Sequence, residues 1–403
     1  MVLPLLVAAV LADAGPLAFE EAVGRATQAP DVVGARDAAR LQRKLAGEVP
    51  WLTSNPTVLL QPQARTERGV GAGAEFQGGV TQAFNLSGLG EARREGALKE
   101  AEAAEVRAAV LALEKRLAAA AAWLDAWGAQ ATAALAAEEE AAAAQLVPHL
   151  ERALAAGGAT RTELAEAQAF AAEATLEHLD QEGRRVEASV RLGTTLGMEG
   201  LPAAVSSQLP AIRPLEELPA VHGGDVTASA LDVRASRALA DEERARAAET
   251  SAQRGWQVQV GVGGAHEFPD TWYGYAGATV TLPAWDLGQR ELSLHRAEVR
   301  RREAEAEARA RAWAPRLAGL RHECEHAREV LSVVEQRLLP AARLAAEHES
   351  ALFDRGESTL PALLRVRRLA LNARARLLRA RAETVLADFN YLELHRQLGP
   401  EIP

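Results

Sequence analysis

His322-Glu323-Cys324-Glu325-His326 is the stretch whose residue types and spacing come nearest to covalent chemistry. On a helix, histidines four residues apart share a face and can present two imidazoles to zinc, with Glu323 placed as a general base. A hydrolytic zinc centre needs a third protein ligand. No Gly and third His follow downstream, so that ligand would have to be a distant carboxylate such as Glu347. His322 and His326 are therefore an incomplete metal site, and an ordinary solvated helix face accounts for them as well. No catalytic residue, resident metal or cofactor is expected. Gly261-x-Gly263-Gly264 and Gly71-x-Gly73 lie in strands and turns, outside any phosphate-binding strand-to-helix context.

A second constellation lies at two glycine turns. Gly157 and Gly158 close one long helical run, and Asp354 and Gly356 close another. Thr160 and either Ser358 or Thr359 can cap the helices that return, with Glu163 and Glu357 in the first turns, where the helix dipole favours an anion. Repeated around an axis, such carboxylates would ring a mouth and favour cations. Capping alone explains the same residues. Pro148 and Pro340 precede the turns and are expected to kink or weaken the rods there.

The elements that position these residues occur twice. Gly79–Gly90 and Gly277–Gly288 each turn an alternating strand into a long Ala/Glu-rich helix. Gly90 to Gly288 is an offset of 288 − 90 = 198, and Gly158 to Gly356 is again 356 − 158 = 198, which points to an internal duplication. The first copy is expected over 15–197, the second over 225–399, with a Pro-rich linker at 198–224. Each copy reads as a helix, a hairpin (57–84 and 256–282), a long helix (90–156 and 288–355) and a return helix (160–197 and 358–398). Pro30 breaks or kinks the first helix, whose Phe19, Ala22, Val23 and Ala26 share a face. A run of up to 67 residues, Gly90 to Ala156, spans roughly 100 Å at 1.5 Å per residue, a rod no globular domain needs.

Each strand is close to the ~9–11 residues that a tilted strand uses to cross a bilayer. Val58, Leu60, Val258, Val260 and Val262 alternate with Gln61, Gln63, Gln257 and Gln259, so the glutamines would face a wet lumen. Trp256, Trp272, Tyr273 and Tyr275 stand near strand ends, where interfacial aromatics are expected. Four strands cannot close a barrel, and an open edge is not tolerated in lipid, so several copies must share one. Three copies give twelve strands, although the pattern does not choose three over two or four.

Composition narrows the class further. Aromatics are 4% of the 403 residues, so helices are expected to approach on Ala and Leu. A net charge of −10 disfavours a nucleic-acid partner. Cys324 is the only cysteine, which leaves no intrachain disulfide. Residues 2–12 are apolar and precede Ala12-Asp13-Ala14, so residues 1–14 read as a signal peptide. Trp123 and Trp127, four apart, are read as packing residues.

In order and spacing, the chain resembles the TolC-like outer-membrane efflux proteins. The resemblance is carried by Phe19-Glu20-Glu21-Ala22-Val23 followed by Pro30, by Val80-Thr81-Gln82-Ala83-Phe84 and Val280-Thr281-Leu282-Pro283-Ala284-Trp285-Asp286-Leu287-Gly288, by the two glycine tips, and by Leu196-Gly197 and Leu398-Gly399. Phe84–Gly90 is similar to the heavy-metal efflux branch. Two residues, Ser87-Gly88, stand as extra in the first passage, and basic residues after the glycines appear as Arg93, Arg94 and Arg290. The resemblance implies a homotrimer with a shared twelve-stranded outer-membrane barrel and a periplasmic tube of long antiparallel helices. It also implies a passive exit duct of a Gram-negative bacterium, without catalysis, working with an inner-membrane pump and a periplasmic adaptor that meets the tips. The alternatives are a soluble or peripheral helical scaffold and a zinc peptidase.

Overall fold

A computed structural model describes residues 15–69, 71–200, 204–220, 229–268, 270–282, 285 and 288–398. The signal peptide expected at 1–14 lies outside them, as do Pro202 and residues 221–224 of the linker, residues 225–228 at the start of the second copy, Pro283, Ala284, Asp286 and Leu287 of the second passage, and Gly399. The elements in order are α1 (Phe19–Ala26), α2 (Pro30–Gly47), β1 (Thr57–Glu67), β2 (Gly71–Asn85), α3 (Leu89–Ala155), α4 (Arg161–Thr195), α5 (Leu231–Gln253), β3 (Gln257–Glu267), β4 (Thr271–Thr281), α6 (Gln289–Val333), a π turn (Val334–Leu338), α7 (Leu339–Asp354) and α8 (Leu360–His395). The chain divides into two compact units: 34–110 with 230–311, and 1–33 with 111–229 and 312–403.

The duplication holds, but its register differs from the sequence reading. The left-handed glycines that open the long helices are Gly88 (φ 75°) and Gly288 (φ 70°), an offset of 288 − 88 = 200. Those that close them are Gly157 (φ 77°) and Gly356 (φ 73°), an offset of 356 − 157 = 199. Positive φ is what makes glycine necessary at these points. Gly90 and Gly158 are ordinary in conformation, so the agreement at 198 was a coincidence of neighbouring glycines. Ser87-Gly88 is consequently no insertion, because Gly88 is the counterpart of Gly288.

The rods also differ between copies. α3 runs unbroken through 67 residues, Pro148 included. The second rod, expected to be continuous over 288–355, is interrupted by the π turn at 334–338, directly before Pro340 at the start of α7. Proline supplies no N–H to the turn before it and its ring crowds the carbonyl four residues back, which a wider turn relieves. Pro315 sits within α6 without ending it. At the N-terminus Pro30 begins α2 and separates it from α1.

In the unit that holds the sheet, β1 to β4 form one antiparallel meander in chain order. Asn85 Nδ2 donates to Ala252 O at 2.9 Å, and the Trp256 N–H donates to Ser87 Oγ at 3.0 Å, tying the exit of β2 to the entry of β3. Below the strands, α2 meets α3 through Arg43 and Glu105, and α3 meets α5 through Arg93 and Glu249.

In the other unit, Phe19, Ala22, Val23 and Ala26 of α1 bury the face expected of them against α3, α4 and α8. Phe19 meets Trp123 and Phe389 edge-on at 5.4 and 5.3 Å. Trp123 is fully buried, and its indole N–H donates to Leu17 O at 2.8 Å; Trp127 donates to Ser207 O at 3.1 Å. Leu17 pairs with Val205 as a short parallel bridge, so these tryptophans hold the chain start and the linker on one face of α3. Replacing Trp123 with Ala is expected to cost roughly 3–5 kcal/mol in stability, from lost volume and an orphaned carbonyl, whereas Trp123→Phe, which orphans the same carbonyl but keeps most of the volume, should cost roughly 1–3 kcal/mol. Denaturant unfolding followed by helical circular dichroism checks this, and equal midpoints for both variants and the parent would remove the clamp.

Candidate functional site

The sheet separates its residues by parity, because paired residues in a ladder project to the same side. Gln61 pairs with Gln77, and Gln63 with Glu75. Gln257 pairs with Asn85 and Thr281, and Gln259 with Ala83 and Thr279. All four glutamines expected in the lumen therefore share one face, with Thr57, Thr81 and Thr271 beside them. Hydrogen bonds cross this face: Arg65 to Glu75 at 3.2 Å, Gln77 to Tyr275 OH at 3.3 Å, Gln259 to Thr81 at 3.0 Å and Tyr273 OH to Glu267 at 2.9 Å. The opposite face presents Val58, Leu60, Val80, Val260, Val262 and Val280, all exposed.

Tyr273 and Tyr275 depart from the interfacial expectation, since their hydroxyls engage the polar face. Their parity with Thr271 and Thr279 carried that signal. Trp256 and Trp272 remain exposed at strand ends, and Trp51 and Trp285, before β1 and after β4 in the chain, are exposed as well.

At the first tip the chain turns through Gly157, whose N–H donates to Leu154 O at 3.0 Å, while the Gly158 N–H donates to Ala153 O at 2.8 Å. This pair satisfies two orphan carbonyls in a Schellman arrangement. Thr160 then caps α4: its hydroxyl accepts the Glu163 N–H at 3.1 Å, and Glu163 Oε2 accepts the Thr160 N–H at 2.7 Å. These bonds, from the Thr160 backbone first and its hydroxyl second, hold the Glu163 carboxyl below the usual carboxylate range.

The second tip repeats the turn but not the cap. Gly356 N–H donates to Phe353 O and Glu357 N–H to Leu352 O, both at 2.9 Å, so Glu357 stands where Gly158 does. Thr359 is the N-cap residue of α8, with no side-chain cap bond, and no acid lies in the first turn. Two expectations are thus corrected: Ser358 does not cap, its hydroxyl instead meeting Glu349, and Glu357 precedes the helix and pairs with Arg355 at 3.6 Å. Asp354 ends α7.

His322 and His326 stand one turn apart on α6, ring centroids 6.5 Å apart. Among the described residues no group of three or more His, Cys, Asp and Glu is placed to hold a metal ion. Cys324 points the other way and is fully buried, with burial pushing its thiol up to about 11, beside Asp388, whose carboxyl burial also raises. Arg328 bonds Asp388 at 2.8 Å and the Arg213 carbonyl at 2.7 Å, while Arg321 donates to Pro219 O at 3.1 Å. The inward side of this stretch therefore fastens the linker. Trp123 and Trp127 serve packing, as expected.

A groove of about 880 Å³ also lies among α3, α4 and α8, with Leu124, Gly128 and Ala375 in its lining. Arg191–Asp125 and Arg368–Glu173 pairs brace its rims.

Comparison with solved structures places this architecture. The outer-membrane channel OprN superposes with a TM-score of 0.77 at 20% identity, over 94% of this chain and 89% of that one. The open state of the Neisseria gonorrhoeae MtrE outer membrane channel gives 0.74 at 16% identity, over 96% and 90%. The Campylobacter jejuni CmeC outer membrane channel gives 0.75 at 14% identity, over 94% and 85%. The sequence matches no protein-family model and no curated protein. At these identities the likeness is one of fold, and the chain has the fold of the TolC-like outer-membrane channels.

The unequal caps generate a differential expectation. Thr160→Ala should cost about 1 kcal/mol at the first tip, read as faster amide exchange over 161–164, while Thr359→Ala should cost only a few tenths. Because the folded carboxyl of Glu163 titrates below its unfolded value, its contribution is complete above the ordinary carboxylate range and is lost as pH falls through the folded value. Glu163→Gln should abolish that acid dependence of exchange, and an unchanged profile would show that the box does not hold the tip.

Proposed function

We propose that this chain is a passive exit duct of a Gram-negative outer membrane, serving a tripartite efflux or type I secretion system. The observation that carries the reading is the sheet: one exposed apolar face, one hydrogen-bonding face, and two edges, β1 and β4, with no partner strand in the described chain. In water such a sheet would expose a valine-rich face; in lipid that face is satisfied and the glutamine face lines a wet path. No helix among the described residues is long and apolar enough to cross a membrane, so the strands are the candidates for crossing it.

Three copies would supply twelve strands and close every edge. The glycine tips, Gly157 to Glu163 and Asp354 to Ser358, are the surfaces we assign to the periplasmic entrance and to an adaptor, with an inner-membrane pump supplying the energy. Gln61, Gln63, Gln257 and Gln259 line the lumen in this reading. The duct performs no catalysis: solutes move through it without covalent change.

Membrane fractionation followed by native mass measurement tests the reading directly. A detergent-extracted species of three chains that conducts ions in planar bilayers is expected; a soluble monomer would return the protein to the helical scaffold. The two sheet faces are separable. Val262→Arg should lower the membrane-assembled fraction sharply, since a lipid-facing arginine costs roughly 2–4 kcal/mol near the bilayer midplane. Gln259→Arg should assemble normally and shift ion selectivity toward anions. The reverse pattern would turn the barrel inside out.

A further inference from the structure

We infer that Tyr275 sets the bore of the proposed duct, its ring lying flat in a seat made by two glycines instead of standing in the lumen. The inference rests on the duct reading and adds which residue governs passage. Gly79, Gly263 and Tyr275 occupy one row across β2, β3 and β4, since Gly79 pairs with Gly263 and Gly263 with Tyr275. All three belong to the hydrogen-bonding face. The side chain of Tyr275 crosses β3 completely. A Cβ on Gly263 would overlap the outer end of the ring, and one on Gly79, a strand further on, would stand 2.8 Å from the hydroxyl oxygen. Gln77 Nε2 donates to that oxygen at 3.3 Å, and the hydroxyl donates to Gly78 O at 3.5 Å. Burial agrees with this placement. Along β4 the other ten residues are exposed, and Tyr275 alone is half-buried.

The seat is one of several on this face. The Thr81 methyl lies over Gly261, where a Cβ would stand 2.7 Å from it, and the Phe268 ring lies over Gly73. A glycine inside a strand weakens the strand and offers no side chain to pack, and it marks places where another group approaches the backbone closely. Here the approaching groups are side chains of the same wet face, folded down onto the wall. The Tyr275 seat also joins the two halves of the duplication, because β2 belongs to the first copy and β3 and β4 to the second.

Barrel closure makes the flat placement matter. Inward side chains converge on the axis; in a barrel of about eight strands they fill the interior, and the width grows with strand number. Rotation about the barrel axis leaves height unchanged, so three copies set three Tyr275 rings at one level. Upright, those rings would narrow the duct there. Laid across β3, they leave it as wide as the surrounding Gln and Thr side chains allow.

Single-channel conductance of the extracted full-length assembly in planar bilayers tests this role. Gly79 is the position to change. A Cβ there meets the end of the Tyr275 side chain and, at 3.0 Å, Val262 O, whereas a Cβ on Gly263 meets Gly78 O at 2.5 Å and would strain the backbone itself. Gly79→Ala should lift the ring into the lumen and lower the conductance. Combining it with Tyr275→Ala should return the conductance to the parental level or above. Tyr275→Ala alone should assemble and conduct close to the parent, and this variant decides the matter even where Gly79→Ala fails to assemble. A large gain in Tyr275→Ala alone would show that the ring already stands in the bore. That result, parental conductance in Gly79→Ala, or a loss that persists once the ring is gone would each overturn the seat and leave the duct standing. A soluble monomer that conducts in no variant would overturn both.

Discussion

Backbone groups in lipid must be hydrogen-bonded within the protein, and in the proposed outer-membrane duct this one constraint governs the molecule. β1 and β4 each pair on one side only, so a single chain placed in a bilayer would leave two rows of N–H and C=O groups unmet. Pro62, in β1, lacks an N–H, which is compatible with an edge position but does not satisfy the remaining groups. Further copies provide the remedy. In that proposal, the two hairpins per chain and the long helices of nearly matched length, 67 residues in α3 and 66 over α6, the π turn and α7, serve to bring copies together in register.

Much of this architecture was legible because its signals are periodic. Period two over 57–67 and 257–267 marked the strands and separated Gln61 and Gln259 from Val58 and Val262. The helix-forming run after Gly90 fixed the 67-residue rod to within a residue at each end. What periodicity could not supply was the conformation of individual glycines. Gly88, Gly90, Gly157 and Gly158 look alike in sequence, and only backbone φ distinguishes the two that turn the chain. The same limit explains the tyrosines. An aromatic near a strand end fits an interface by type, whereas parity puts Tyr273 and Tyr275 on the wet face, and parity was readable once the strand was numbered from Thr271.

Site chemistry was less legible because it depends on contacts between distant segments. H-E-x-x-H has the spacing of a zinc helix, yet its meaning lies in what surrounds it. Inside, Cys324 is buried against Asp388 and Arg328, and Arg321 and Arg328 hold linker carbonyls more than a hundred residues away in sequence. Outside, two histidines face away from their own chain. A motif read along one helix sees neither environment. Thr160 and Glu163 were readable because a capping box is local, with both partners within four residues.

Duplication does not make the two halves mechanically equal. The first rod is a continuous α-helix and its tip is locked by reciprocal bonds between Thr160 and Glu163. The second rod contains a π turn before Pro340, and α8 begins without a side-chain cap, Ala362 standing where the first copy has Glu163 at the offset of 199. Regions held by fewer local hydrogen bonds open at lower free energy than the units they join. The second tip is therefore the weaker one, stabilised by Ser358 with Glu349 and by Arg355 with Glu357 in place of a cap.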